Sequence, residues 1–344
     1  MNATTSTRPP AGGFRDLTGR VWQMNRRALP TMAALVLFVG MLGYGELAYG
    51  RILQYNTMSN LLINNAHLIL IAVGLTFVIL MGGIDLSVGA VIAFASVAGV
   101  MLVNAGWNPW LAAVMMVAMG AGFGAIAGAL IHHFDVQPFI ATLATMFLAR
   151  GLASMLSTVP ERLPADSALR LVNHSFKLID GPKVNDLVIT PGVIVAGLVV
   201  VASVFVLHRT RFGRTVYAIG GSEQSAQMMG LPVGQTKVLA YVISGSLAGI
   251  AAVVYTSRLG AAQNITGIGW ELDAIAATVI GGALLTGGAG FVLGSVVGAL
   301  VIGLMTVLIT RDGGIPPEAT TIITGGILLV FVLLQRGIIG RNRQ

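Results

Sequence analysis

From residue 28 to the end, the chain is a succession of long apolar runs separated by short polar or glycine-rich interruptions. Taking about 20 apolar residues as the length that crosses a bilayer, the runs predict ten spans. They fall near 30–50, 59–81, 86–103, 109–131, 138–157, 189–208, 237–257, 271–286, 289–310 and 317–335. The first run outlasts the roughly 7–15 apolar residues of a signal-peptide core, so it reads as an uncleaved span. The expected fold class is an all-α polytopic membrane protein. A polar tail (1–27) precedes a membrane domain (28–337), and a short tail (338–344) follows it.

One interruption differs from the rest. Gly82-Gly83-Ile84-Asp85-Leu86-Ser87-Val88-Gly89 sets two glycines, a carboxylate and a serine between apolar runs, 61–81 and 88–103. Non-helical backbone survives at membrane depth only where protein buries it or it lines water, and an ionisable residue there is a functional candidate. Transporters commonly build substrate sites at such breaks. Gly281 to Gly288 (GGALLTGG) echoes it, Gly82 aligning with Gly281, and an apolar helix follows each copy. The span count gives both copies the same orientation, whereas an inverted repeat requires opposite ones, so the sense of the repeat stays open.

Composition agrees with a membrane chain. Of 344 residues, 55% are hydrophobic and 10% charged, against about a quarter charged in soluble domains, and the mean hydropathy is +0.85. There is no cysteine, hence no disulfide or thiolate-held metal. The net charge of +7 is explained by topology rather than nucleic acid. Arg8, Arg15, Arg20, Arg26 and Arg27, then Arg209, Arg211, Arg214 and Lys237, then Arg336, Arg341 and Arg343 all fall on one side of the ten-span arrangement. By the positive-inside rule that side is cytoplasmic, with both termini on it. The loop 158–188, balanced in charge, then lies outside, and the loop 209–236 inside.

Glycines recur four apart at Gly120, Gly124 and Gly128, at Gly245 and Gly249, and at Gly290, Gly294 and Gly298. Such stripes let helices approach closely in lipid, and packing within one bundle is favoured over a seam between copies.

Asp85 has two compatible readings: a polar group lining a pathway, or, with Ser87, a cap accepting from the N–H groups of the next helix. In the stretch from Gln137 to Gly151, Pro138 sits in a first helical turn, and Thr142 and Thr145 share a face as substrate contacts or as back-bonded hydroxyls. Arg150 either snorkels to the interface or meets a buried partner such as Asp85. Glu271 and Asp273 read as complements to a helix dipole, His132-His133 as a wet loop end, and the amides of Asn64 and Asn65 as pathway groups. In the cytoplasmic loop Ser222 caps a two-turn helix from Glu223 to Met229, stopped by Gly230 and Pro232, which offers Met228 and Met229 to a partner. No GxxxxGK[ST] motif occurs, so the chain itself cradles no nucleotide in a P-loop. An ion-coupled transporter, with Asp85, Arg150 or Glu271 as coupling group, is the competing class.

Four separated stretches resemble the permease subunits of bacterial ABC sugar importers of the ribose type: AVGLTFVILMGGIDLSVGAVIA, QPFIATLATMFLARG, RTRFGRTVYAIGGSEQSAQMMGLPV and ELDAIAATVIGGALLTGGAGFVLGSVVGALVIG. The segments VYAIGG, GIGWELDAIA and ILLVFVLLQRGI look most like galactofuranose-type members. The resemblance implies a type II ABC importer-like permease in the inner membrane, paired with a second permease chain, identical or related. A separate ATPase subunit would hold ATP and magnesium, so this chain would be no enzyme and bind no cofactor. An extracytoplasmic binding protein would deliver a monosaccharide, with a nucleoside or other small solute as the alternative cargo of the same machinery. The implied substrate pathway draws on Asn64, Asn65, Thr76, Asp85, Ser87, Phe139, Thr142 and Thr145. The implied ATPase-docking set is Arg211, Phe212, Gly213, Arg214, Gly221, Glu223, Ala226, Met229 and Gly230.

Overall fold

The computed structural model describes residues 14–340 except 180, 182–184, 315, 317 and 318, with side chains described between residues 31 and 333. The tails 1–13 and 341–344, with Arg8, Arg341 and Arg343, lie outside the described residues. Helices α1 (Phe14–Tyr49), α2 (Tyr55–Leu80), α3 (Val88–Asn104), α4 (Pro109–His133), α5 (Pro138–Leu156) and α6 (Pro191–Arg209) are followed by two short ones, α7 (Arg211–Gly221) and α8 (Glu223–Met228). Then come α9 (Val233–Leu259), α10 (Trp270–Ile280), α11 (Val292–Asp312) and α12 (Ala319–Gly340). Two small antiparallel pairings, β1 (Glu161–Arg162) with β4 (Ala261–Ala262) and β2 (Phe176–Ile179) with β3 (Leu187–Ile189), sit on the face opposite α7 and α8.

Among the described residues seven helices are long and apolar enough to cross a membrane, and 88–104 and 319–333 are shorter apolar helices. The eighth predicted span, 271–286, is corrected. Helix α10 has 11 residues, about 16 Å at 1.5 Å per residue, half of a bilayer core. The descent from α9 is completed by the irregular segment 260–269. Arg150 holds that segment, its Nη1 donating to the carbonyls of Asn264 at 2.6 Å and Thr266 at 2.7 Å. Arg150 thus pairs with backbone rather than with Asp85 and does not snorkel, because the arm's carbonyls lack helical partners of their own.

The core is built on α2 and α9. In α2, 78% of the most apolar stretch is buried, against 11% in α1. Helices α4 and α9 touch backbone to backbone: a Cβ on Gly120 would strike the carbonyl of Gly245, one on Gly124 the carbonyl of Tyr241, and one on Gly249 the Cα of Val117. Gly294 and Gly298 do the same for α11 against Gly281 and Ala277 of the α10 strand of chain. The stripes therefore close contacts within this bundle. Gly290 is the exception, since it precedes α11 with φ +151° and is not on the helical face.

Candidate functional site

Both double glycines end helices by the same bonding pattern. At the end of α2 the amide of Gly82 donates to Ile79 and that of Gly83 to Val78; at the end of α10 Gly282 donates to Val279 and Ala283 to Thr278. Gly82 and Gly282 both have left-handed φ, +80° and +100°. This is the Schellman arrangement, in which the left-handed residue follows the last helical carbonyls. The echo is therefore real at the level of helix ends, but its register is Gly82 with Gly282, one residue on from the alignment of the glycine pairs. Both ends point toward α7, so the two copies share one orientation.

After the first end, residues 82–87 pass up through the bundle to α3. Asp85 lies 1% exposed there. One carboxylate oxygen accepts from the Ser87 amide at 2.9 Å and the Ser87 hydroxyl at 2.6 Å; the other accepts from the Ser244 hydroxyl of α9 at 2.7 Å. The capping expectation is corrected. Ser87 occupies the position before α3, but no side chain caps the helix, because the carboxylate is engaged by hydroxyls and the Ser87 amide. A buried carboxylate needs several donors, and these supply three. Ile84 is held as well, its carbonyl accepting from Thr142 of α5 at 3.3 Å and Tyr241 of α9 at 3.4 Å.

The other predicted pathway residues divide. Thr142 and Thr145 are buried and bond carbonyls of their own helix, to Pro138 and Ala141, at 2.8 Å each. Thr76 joins α2 to α11 through Ser295 at 2.7 Å. Asn65 donates to Leu61 of its own turn and packs its amide on Gly303 of α11, whereas Asn64 is exposed. Phe139 is exposed at the start of α5. Asp85, Ser87 and Thr142 are thus brought together, and Asn64 stands apart from them.

Glu271 and Asp273 lie in the first turn of α10. Glu271 Oε1 accepts from the Gly269 amide at 3.3 Å, while Oε2 is buried without a partner. A Cβ on Gly89, at the start of α3, would meet that oxygen. His132 and His133 are exposed at the end of α4.

Sequence reading places residues 211–221 in a cytoplasmic loop; they form helix α7, with Thr210 accepting from the Gly213 amide to start it. Its buried face carries Gly213, Val216 and Ile219, and leaves Arg211 and Arg214 exposed. Gly220 sits where a Cβ would overlap the Leu80 carbonyl and Gly288. Gly288 in turn donates to Leu80 at 2.9 Å, and the Tyr217 hydroxyl donates to the Gly290 carbonyl at 2.8 Å. Helix α7 therefore bears on both helix ends at once. Ser222 caps α8 as expected, accepting from Ser225; Met229 follows its last residue and Gly230 turns the chain at φ +72°. Ala226 is buried, and Met228 and Met229 are exposed. Glu223 is tied to Lys237 of α9 at 2.6 Å. Between α7 and α9 opens a groove of about 670 Å³, its walls including Phe212, Ala218, Leu231 and Leu239, with Arg211 and Arg214 also lining it.

A feature that sequence reading missed lies toward the opposite face. His67 of α2, Tyr255 of α9 and Trp270 of α10 bring their rings together, with centroids 5.1 Å apart for His67 and Tyr255, 4.4 Å for His67 and Trp270, and 4.7 Å for Tyr255 and Trp270. Their separation along the chain leaves no local signal.

Comparison with known proteins adds the family. Residues 57–332 match the family described as branched-chain amino acid transport system / permease component. The chain is 49% identical over 318 residues to a fructose import permease protein of Bifidobacterium longum, covering 92% of this chain and 93% of that one. It is 39% identical over 326 residues to an inner membrane ABC transporter permease protein of Escherichia coli, covering 93% and 96%. It is also 34% identical over 302 residues to a ribose import permease protein of the same species, covering 88% and 89%. No solved structure matches. With that match spanning most of the bundle, both glycine-ended helices and α7 and α8, the chain belongs to this family of membrane permease components.

Proposed function

We propose that the chain is the permease subunit of an ATP-driven importer that carries a monosaccharide, a pentose or hexose, across the inner membrane. The observation that carries the reading is the kind of polarity inside the bundle. Among the described residues the salt bridges are Lys177 with Asp186 and Lys237 with Glu223, both outside the spanning helices or at their ends. Within the bundle Asp85 is held by two hydroxyls and an amide rather than by a cation, and Arg150 bonds backbone carbonyls rather than a carboxylate. That lining suits a neutral, hydroxyl-rich solute better than an ion. The names of the relatives, for fructose, ribose and allose, support the same class.

On this reading the face bearing α7 and α8 is cytoplasmic, with both termini on it. The ATPase subunit, which holds ATP and magnesium, seats on Arg211, Arg214, the groove between α7 and α9, and the exposed methionines of α8. A binding protein delivers sugar at the opposite face, and a second permease chain completes the path. The test is uptake in proteoliposomes holding the permease, its ATPase and its binding protein, with D-fructose, D-ribose, D-allose and D-galactose as probes. ATP-dependent uptake of at least one sugar, unaffected by collapsing ion gradients and lost in Arg214→Glu, is the expected result. Uptake without the ATPase that follows an ion gradient would overturn the reading.

A further inference from the structure

The outer half of α2 carries a polar stripe. Asn56, Asn60, Asn64 and His67 recur at spacings of four, four and three, which places them on one helix face. The three asparagines are exposed, and His67 is half-buried. Asn60 donates to Asn56 at 2.8 Å. One turn deeper the helix closes: Leu70 and Ile71 are fully buried, and Gly74 packs on the backbone of Ser244. The stripe is therefore open at the face carrying the 158–188 loop, where Ser59 accepts from the Val188 amide, and blind at its inner end.

Three rings close that blind end, His67, Tyr255 and Trp270, each half-buried and each from a different helix. Packing alone explains aromatic rings in contact, but it does not explain their polar tips. Among the described residues the His67 ring nitrogens, the Tyr255 hydroxyl and the Trp270 indole N–H make no hydrogen bond within the chain, and none is among the buried atoms without partners. Buried Tyr and Trp ordinarily satisfy these groups. Here the donors and acceptors are left open beside ring faces, and Asn64, one turn above His67, leaves an amide open as well.

We infer that His67, Tyr255 and Trp270, with Asn64 above them, form a sugar-stacking subsite at the inner end of the polar stripe along α2, the first place in the permease where the delivered monosaccharide rests. The C–H faces of a sugar ring carry slight positive charge and pack on the negative faces of aromatic rings, while its hydroxyls pair with amide, imidazole, phenol and indole groups. A few convergent polar groups among aromatic walls are the usual make-up of a small-molecule site. Trp270 also begins α10, the half-helix ending at Gly282, so occupancy bears directly on one of the two glycine-ended elements.

This inference rests on the sugar-importer reading, and the experiment separates the two. Uptake kinetics are measured in the reconstituted complete importer for the wild type, Trp270→Leu, Trp270→Phe, Tyr255→Leu, Asn60→Leu and Asn64→Leu, with the sugar that the wild type carries best. Basal ATP hydrolysis and thermal stability of each complex report assembly. Trp270→Leu and Tyr255→Leu are expected to cut uptake about tenfold, the size of a lost aromatic contact. Trp270→Phe, which keeps a ring face, is expected to stay within about threefold of wild type. Asn64→Leu is expected to weaken uptake more than Asn60→Leu, which lies farther from the rings. Wild-type uptake by both leucine variants at the rings, or equal loss in Trp270→Phe and Trp270→Leu in stably assembled complexes, would overturn the subsite. Absence of ATP-dependent sugar uptake by the wild type would instead overturn the importer reading on which it stands.

Discussion

The two glycine-ended elements begin alike and finish differently. Helices α2 and α10 close with the same pair of reversed hydrogen bonds around a left-handed glycine. Beyond that point the first copy rises into the bundle and is fastened there by Asp85 to Ser244 and by Ile84 to Thr142 and Tyr241. The second copy carries no carboxylate. It folds into a tight turn through Gly287 and Gly288, both with positive φ; Gly288 donates to the Leu80 carbonyl, Tyr217 of α7 donates to Gly290, and Thr31 of α1 donates to the Gly281 carbonyl. The same local device therefore serves two ends: one anchored in the depth of the bundle, the other joined to α7. The first copy has an aspartate where the second has Leu284, and that aspartate bonds Ser244 of α9.

That contrast is broken most severely at Asp85. Replacing it with leucine leaves the Ser87 amide and two hydroxyls without their acceptor, and unpaired buried groups cost about 1–3 kcal/mol each. Asp85→Leu is expected to destabilise the detergent-solubilised protein by about 3 kcal/mol or more, and Asp85→Asn, which keeps one acceptor oxygen, by about half of that. Thermal unfolding measures both, and equal small effects would remove the anchoring role. Next in size is the seam between α7 and the second copy. Gly220→Ala forces a Cβ onto the Leu80 carbonyl and Gly288, overpacking that typically costs about 1–3 kcal/mol, and is expected to lower ATP-driven uptake more than it lowers expression. The smallest change is Tyr217→Phe, which deletes one hydrogen bond, to Gly290, worth about 1 kcal/mol.

Much of this architecture was legible in the chain. Among the described residues, apolar run length located the seven helices long enough to span and the two shorter apolar ones to within a few residues, since hydropathy and length suffice where every backbone group bonds within its own helix. The eighth predicted span failed because GGALLTGGAGFVLG stays apolar through a turn, so composition does not mark where α10 stops. The glycine echo was visible, but its register was not, because the left-handed residue is the second glycine at Gly282 and the first at Gly82. At the site, Asp85 and Ser87 stood out as polar residues in an apolar run; the donor on Ser244 lies 159 residues away and left no local trace. The asparagine stripe did leave one, at helical spacing, yet Asn56 precedes the predicted span and only Asn64 and Asn65 were singled out. The structure separates that pair, sending Asn64 outward and Asn65 against Gly303.

Under the proposed function, the bond from Tyr217 of α7 to Gly290 couples the ATPase to the second glycine-ended element, and this is tested most directly by counting sugar molecules imported per ATP hydrolysed in reconstituted importers carrying Tyr217→Phe. The account predicts normal assembly and ATP hydrolysis with fewer sugars moved per ATP than in the wild type, since the variant keeps the docking surface and loosens only its link to Gly290. A wild-type ratio of sugar to ATP in that variant would contradict it.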